Sequence, residues 1–176
     1  MVRTFRRNGR LRNLSIICIS LFFVCLGCNR TNPLPVRADK IVISKSAHTL
    51  TLLNHGEAVR IYKIAIGRHP LGPKNRAGDH KTPEGSYVID GKKNQSRFHL
   101  ALHLSYPNQV DRELAQKANV NPGSDIEIHG LENGLGWIGS LQREIDWTDG
   151  CIAVTNPEIE EIWNAVAVGT PVDIRP

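Results

Sequence analysis

The chain has 176 residues, 40% hydrophobic, 6% aromatic and 22% charged, the profile of a folded domain and not of a disordered or collagenous chain. Fifteen Gly and ten Pro without a fixed period favour strands and turns over a helical bundle or repeat array. The net charge of +5 is confined to the start: Arg3, Arg6, Arg7, Arg10 and Arg12 precede residue 28 with no acidic partner, and the remainder is formally neutral. The composition therefore offers no basis for a nucleic-acid partner.

Residues 1-27 read as an export signal: an Arg-rich start, an apolar run from Leu14 to Leu26, and Gly27 before Cys28. The run is shorter than the roughly 20 residues a membrane-spanning helix needs. Cys25-Leu26-Gly27-Cys28 resembles the lipobox of bacterial lipoproteins, with Cys25 where the family usually has Leu. That resemblance implies acylation of Cys28, a periplasmic protein and, because Asn29 follows, anchorage at the outer membrane. Residues 28-39, with Pro33 and Pro35, read as a tether, and residues 40-176 as the folded domain. Once the leader is removed, Cys151 is the only cysteine inside that domain, so no internal disulfide is available. Such a thiol is either a buried small hydrophobe or a nucleophile.

Alternating runs at Lys40 to Lys45, His48 to Leu53 and Ala58 to Gly67 predict an antiparallel meander. Val59 and Ile61 lie on one parity and Ile64 and Ile66 on the other, which predicts a bulge or two-sided burial. Residues 68-85, rich in Gly, Pro and charge, form a long loop of the kind that usually serves function. Arg68, Lys74, Arg76 and Lys81 of this loop, with Lys92, Lys93 and Arg97, make the middle of the chain basic, which either favours substrate carboxylates or, more commonly, is solvated loop charge. Ser86 to Asp90 is the next strand. From Phe98 to Leu104, Leu100 and Leu102 share the apolar face with the two end residues, while His99, Ala101 and His103 share the other.

Asp111 to Asn119 predicts a short amphipathic helix and Asp125 to His129 a strand. In the last helix Asn156 is the expected cap and Pro157 the first residue, with Ile159, Ile162, Trp163 and Val166 buried. Gly169 and Pro171 end it, and Val172 to Arg175 supplies a final strand. The sum is an α+β, mainly β, antiparallel sandwich-like domain with two or three marginal helices.

The chemistry centres on Glu127-Ile128-His129-Gly130 and Thr148-Asp149-Gly150-Cys151-Ile152. His129 can serve Cys151 as base, Gly130 permits close backbone approach, and Gly150 permits a turn aiming N–H groups at an oxyanion. On the residues alone, a Cys-His pair and a buried Cys beside an unrelated His stay equally open. Zinc held by His99, His103 and His129 is disfavoured, because the first two lie about 13 Å apart along one strand. His80 is expected at the surface, with a gating role as the alternative. Trp137 and Trp147 either line a substrate groove or anchor their loops to the core.

The His-Gly pair, the gap of about twenty residues and the Thr-x-Gly-Cys-Ile run resemble the active-site signature of the L,D-transpeptidase catalytic (YkuD) domain. Lys81-Thr82-Pro83-Glu84-Gly85-Ser86-Tyr87 is similar to that family's Thr-Pro-x-Gly-x-Tyr/Phe segment, so the likeness spans residues 40-175. Many members have His at the place of Asp149 and Arg or Asn at the place of Ala153. The run Asp-Trp-Thr-x-Gly-Cys-Ile-Ala resembles instead a proteobacterial subgroup, one branch of which hydrolyses peptidoglycan–lipoprotein links. The resemblance implies Cys151 as nucleophile, His129 as base and then acid, and the Gly130 carbonyl as orienter of the imidazole. It implies oxyanion donors at Gly150 and Cys151, substrate contacts at Trp137, Trp147, Thr148 and Asp149, and no metal or cofactor. The implied substrate is a peptidoglycan stem peptide acylating the enzyme through meso-diaminopimelate. Cross-linking or protein attachment, hydrolysis by a carboxypeptidase or amidase, and an inactive envelope-binding lipoprotein are the functional alternatives. The chain is expected to act as a monomer.

Overall fold

The computed structural model describes residues 36–176; the leader and most of the tether lie outside the described residues. The first hairpin follows from strict alternation: Ile41 and Ile43 of β1 (Lys40–Ser44) and Leu50 and Leu52 of β2 (Thr49–Asn54) are fully buried. Removing each from water contributes roughly 1.5–3 kcal/mol. β3 (Glu57–Lys63) completes the expected meander. The predicted irregularity is present in two forms. The β2–β3 register skips Val59, pairing Leu52 with Arg60 and Leu53 with Ala58. Regular pairing stops at Lys63, earlier than expected, because Ile64, Ala65 and Ile66 are all buried and the chain is covered on both sides.

β4 (Gly85–Ser96) is longer than its hydrophobic pattern implies and belongs to two ladders. Its first residues pair with β8 (Pro171–Arg175), and from Ile89 onward it pairs with β5 (His99–Leu104), with register shifts on the way. The strand order is β3-β2-β1-β8-β4-β5-β6-β7, where β6 is Glu127–His129 and β7 Ile152–Ala153. Five of these seven pairings are antiparallel, as expected. The pairs β1/β8 and β6/β7 are parallel, since each partner returns only after an intervening connection long enough to cross over. One apolar cluster joins residues from both ladders, from Ile41 and Leu50 to Leu102, Ile128 and Ile152.

The first helix, α1 (Gln109–Ala118), starts two residues before the predicted one because Asn108 and Asp111 form a capping box. It ends on Asn119 in the left-handed region. In α2 (Asn156–Ala165) the expected cap is displaced by one residue. Thr155 precedes the helix, and the Glu158 carboxylate accepts from the Thr155 N–H at 2.9 Å and from its hydroxyl at 2.6 Å. Ile159, Ile162 and Val166 are buried as predicted, whereas Trp163 is only partly covered and lies under the Lys92 ammonium, 4.5 Å from the ring centre. A 3-10 segment, Gly136–Arg143, is the third helical piece.

Candidate active site

Two short strands bring the two motifs together. β6 and β7 pair in parallel with Ile128 opposite Ile152 and His129 opposite Ala153. Cys151, just before β7, thus comes beside the end of β6. His129 and Cys151 line one cavity of about 290 Å³ with Arg97, Phe98, Glu132, Trp147, Thr148 and Asp149. A second cavity, of about 390 Å³, opens on the other side of Cys151 between Lys74–Gly78 and Asn121–Ile126. Only Cys151 and Asp149 belong to both.

His129 is buried and its orientation is set on three sides. Nδ1 donates to the Gly130 carbonyl at 2.7 Å, which leaves Nε2 as the basic nitrogen. Phe98 packs on the imidazole with ring centres 4.4 Å apart, and Trp147 meets it edge-on at 5.8 Å. Burial lowers the imidazole pKa, opposed by the hydrogen bond to Gly130 and by the Glu127 charge. A Cβ at Gly130 would meet Asn156 Oδ1 at 2.7 Å and the Phe98 carbonyl at 3.1 Å, so any larger residue displaces the Asn156 side chain. Asn156, freed from capping, accepts the Leu131 N–H at 2.8 Å and fastens the loop after His129 to α2.

Cys151 is half-buried, and its thiol points to the Asp125 carbonyl at 3.5 Å. Burial pushes the thiol up to about 11; the Glu127 backbone N–H opposes this, and the charges of Glu127, Asp149 and Asp125 reinforce it. At neutral pH such a thiol is protonated. The resting pair is therefore neutral thiol and neutral imidazole.

The turn that carries Cys151 is held from two directions. Thr148 Oγ1 donates to the Cys151 carbonyl at 2.7 Å and accepts the Gly150 N–H at 3.1 Å. Thr148, expected as a substrate contact, lines the first cavity but has its hydroxyl committed inside the turn, and the Gly150 N–H, expected to face an oxyanion, is committed with it. The second support is the long loop after β3. Arg68 N–H donates to the Thr148 carbonyl at 3.0 Å, and Gly67 N–H to Thr82 Oγ1 at 3.0 Å. Gly150, at φ +130°, passes so close to that loop that a Cβ would lie 2.6 Å from the Lys81 carbonyl.

Asp149 accepts from His80 Nδ1 at 2.7 Å and from Arg68 Nη2. The Arg68 hydrogen bond, then that of His80, holds its carboxyl below the usual range against burial. His80 is part-exposed and reaches the site only through Asp149. Trp147 lines both the catalytic cavity and an adjoining apolar one, and its Nε1 donates to Gln142 at 2.9 Å, so it both lines and anchors. Trp137 differs from expectation: it is 79% exposed and lines none of the described cavities, because the 3-10 segment turns it outward. His99 and His103 form separate links, to Glu160 at 2.7 Å and to Asp90 at 2.5 Å. Phe98 and Asn156 are participants that the sequence reading missed, and Arg68 stood out there only as one of seven basic residues of the middle segment. Only Asn156 carried a usable signal, since Thr155-x-x-Glu158 is itself a capping-box pattern that releases it.

Residues 38–174 match the model of the L,D-transpeptidase catalytic domain, YkuD. The chain is 34% identical over 132 residues to the Escherichia coli (strain K12) protein named "Putative L,D-transpeptidase YafK", covering 72% of this chain and 46% of that one. Among solved structures it is similar to the helical cell shape determining protein Pgp2 from Campylobacter jejuni, with TM-score 0.58 and 24% identity over 76% of this chain and 46% of that one. It is also similar to Bd1075 of Bdellovibrio bacteriovorus, with TM-score 0.53 and 25% identity over 79% and 48% of the two chains. The chain spans about half the length of these relatives. The match across nearly all of the described residues, on a fold whose parallel β6/β7 pair joins the His-Gly and Gly-Cys motifs, places this chain in the L,D-transpeptidase catalytic domain (YkuD) family.

Proposed function

We propose that the chain is a peptidoglycan L,D-transpeptidase working through Cys151 and His129. The observation that carries this reading is that the two side chains line one cavity while Cys151 also opens on a second. His129 Nε2 takes the thiol proton as sulfur attacks the carbonyl on the L-centre of meso-diaminopimelate in a stem peptide. The carbonyl oxygen gains the negative charge. With the Gly150 N–H given to Thr148, the Cys151 N–H is the oxyanion donor of that pair. The carbon–nitrogen bond then breaks, His129 returns the proton to the leaving amine, and a thioester remains. An acceptor amine entering from the second cavity gives up a proton to His129, displaces the sulfur and forms an L,D cross-link or an attached protein. Water in its place gives hydrolysis by the same nucleophile.

Purified tetrapeptide muropeptides incubated with wild type and with Cys151→Ala test the reading. New cross-linked masses are expected with wild type alone; unchanged muropeptides in both samples overturn it, and shortened stems without cross-links assign hydrolysis. A carbapenem is expected to add one acyl mass to wild type and none to Cys151→Ala. Export and lipid attachment at Cys28 are proposed from residues 1-28 alone. Cys28→Ala is expected to move the protein from the membrane fraction to the soluble one.

A further inference from the structure

We infer that Arg68 is a specificity-determining residue that receives a free carboxylate of the peptide acylating Cys151, with Asp149 holding the guanidinium in place. The inference rests on the proposed reaction and names a residue to which the family motifs assign nothing. Asp149 stands two residues before the nucleophile and, with Cys151, is common to the two cavities that meet there. Arg68 lines neither cavity but reaches their junction through its bond to Asp149.

Donors and acceptors are unevenly matched at that junction. Two donor side chains, Arg68 and His80, converge on the same oxygen, Asp149 Oδ1. Arg68 uses only Nη2 for this contact and is 49% exposed, so most of its five N–H groups remain available to a ligand. A planar guanidinium presents two parallel donors to a carboxylate, the strongest neutral-pH recognition a protein offers that group. The Arg68–Asp149 pair is itself solvent-facing, and such pairs hold together by about 1 kcal/mol or less. Sharing or exchanging Asp149 for an incoming carboxylate therefore costs little, and His80 retains Asp149 when Arg68 turns.

Arg97, the arginine that lines the cavity shared by His129 and Cys151, is differently placed. Both its Nε and Nη2 are spent on Glu132, at 2.9 and 2.7 Å. Arg68 is fixed at its base by a backbone bond to Thr148 and commits only Nη2 at its tip, whereas Arg97 commits both Nε and Nη2. The ligand chemistry that fits is a peptide whose departing residue ends in a free α-carboxylate, close to the scissile carbonyl.

The test compares a tetrapeptide stem with the same peptide carrying a C-terminal carboxamide. Calorimetric binding to Cys151→Ala protein, which needs no turnover, is expected to favour the carboxylate form about tenfold. Adding Arg68→Gln is expected to abolish that preference. Asp149→Asn, which releases the guanidinium, is expected to tighten the carboxylate form, and Arg97→Gln to leave the preference in place. In otherwise wild-type enzyme Arg68→Gln is expected to raise KM for the carboxylate form severalfold with kcat within about twofold, whereas a purely structural role lowers kcat for both peptides alike. Equal binding of the two peptides, no binding of either, or a preference that survives Arg68→Gln and is lost with Arg97→Gln overturns the inference. Turnover of both peptides without discrimination rejects it while sparing the reaction; discrimination by Cys151→Ala protein without wild-type turnover rejects the reaction and spares the carboxylate site.

Discussion

At the scale of single residues, the site combines a thiol that burial keeps protonated with an imidazole that burial keeps neutral. Both shifts oppose a standing ion pair, so reactivity depends on base assistance and not on a stored thiolate. Alkylation of Cys151 by iodoacetamide is expected to be slow at pH 7 and to keep rising to about pH 11; a plateau near pH 8 would contradict the neutral pair. The imidazole also links stability to pH. A depressed folded pKa means that the unfolded chain binds more protons at acid pH, so this contribution is present above the unfolded value of about 6.5 and is lost as pH falls below it. Wild type is accordingly expected to lose more stability between pH 7 and 5 than His129→Gln, measured by urea unfolding.

At the scale of elements, the loop between β3 and β4 supports the turn that carries Cys151. Asp79 organises it: burial raises its pKa, but Lys74 at 2.7 Å and the N–H groups of Arg76, Asn75 and Lys81 outweigh this and hold it at about 2. Asp79→Asn keeps the shape and removes the charge, and is expected to cost about 1–3 kcal/mol, read from denaturant unfolding. The contact between this loop and the nucleophile turn is made at Gly150. Gly150→Ala places a methyl group against the Lys81 carbonyl at a φ that L-residues avoid, forcing the turn to move. A displacement near 1 Å at a nucleophile costs about a hundredfold in rate. A drop of that size in muropeptide turnover is expected, with circular dichroism unchanged.

At the scale of the whole molecule, the loop is fastened to the far ladder through Lys45, which follows β1. Its buried Nζ donates to the Gly72 and Thr82 carbonyls at 2.6 and 3.1 Å and to Glu84 at 2.7 Å. Lys45→Met leaves a part-buried carboxylate and two carbonyls without their donor, and is expected to cost about 3–5 kcal/mol. A thermal midpoint about 10 °C lower would register it. An unchanged midpoint would mean that the loop is held by its other contacts alone.

The sequence by itself determined the β1–β2–β3 hairpins and both helices, because alternation, capping residues and short turns are local signals; it offered the His-Gly and Gly-Cys motifs as a pair only through their likeness to a known family. Val59 and Ile64 even announced their irregularity through a change of parity. Only the tertiary structure decided that β7 exists, that β8 inserts between β1 and β4, and that Arg68 and His80 meet Asp149. β7 has two residues and no period to read, and strand order depends on which apolar faces can be covered together. Trp137 and Trp147 looked alike in the chain, yet one is exposed and the other packs on His129, because the 3-10 segment before Trp147 sets a direction that composition does not encode. Reactive groups can be recognised from their types and spacing, whereas the partners that tune them come from distant segments and are chosen by packing.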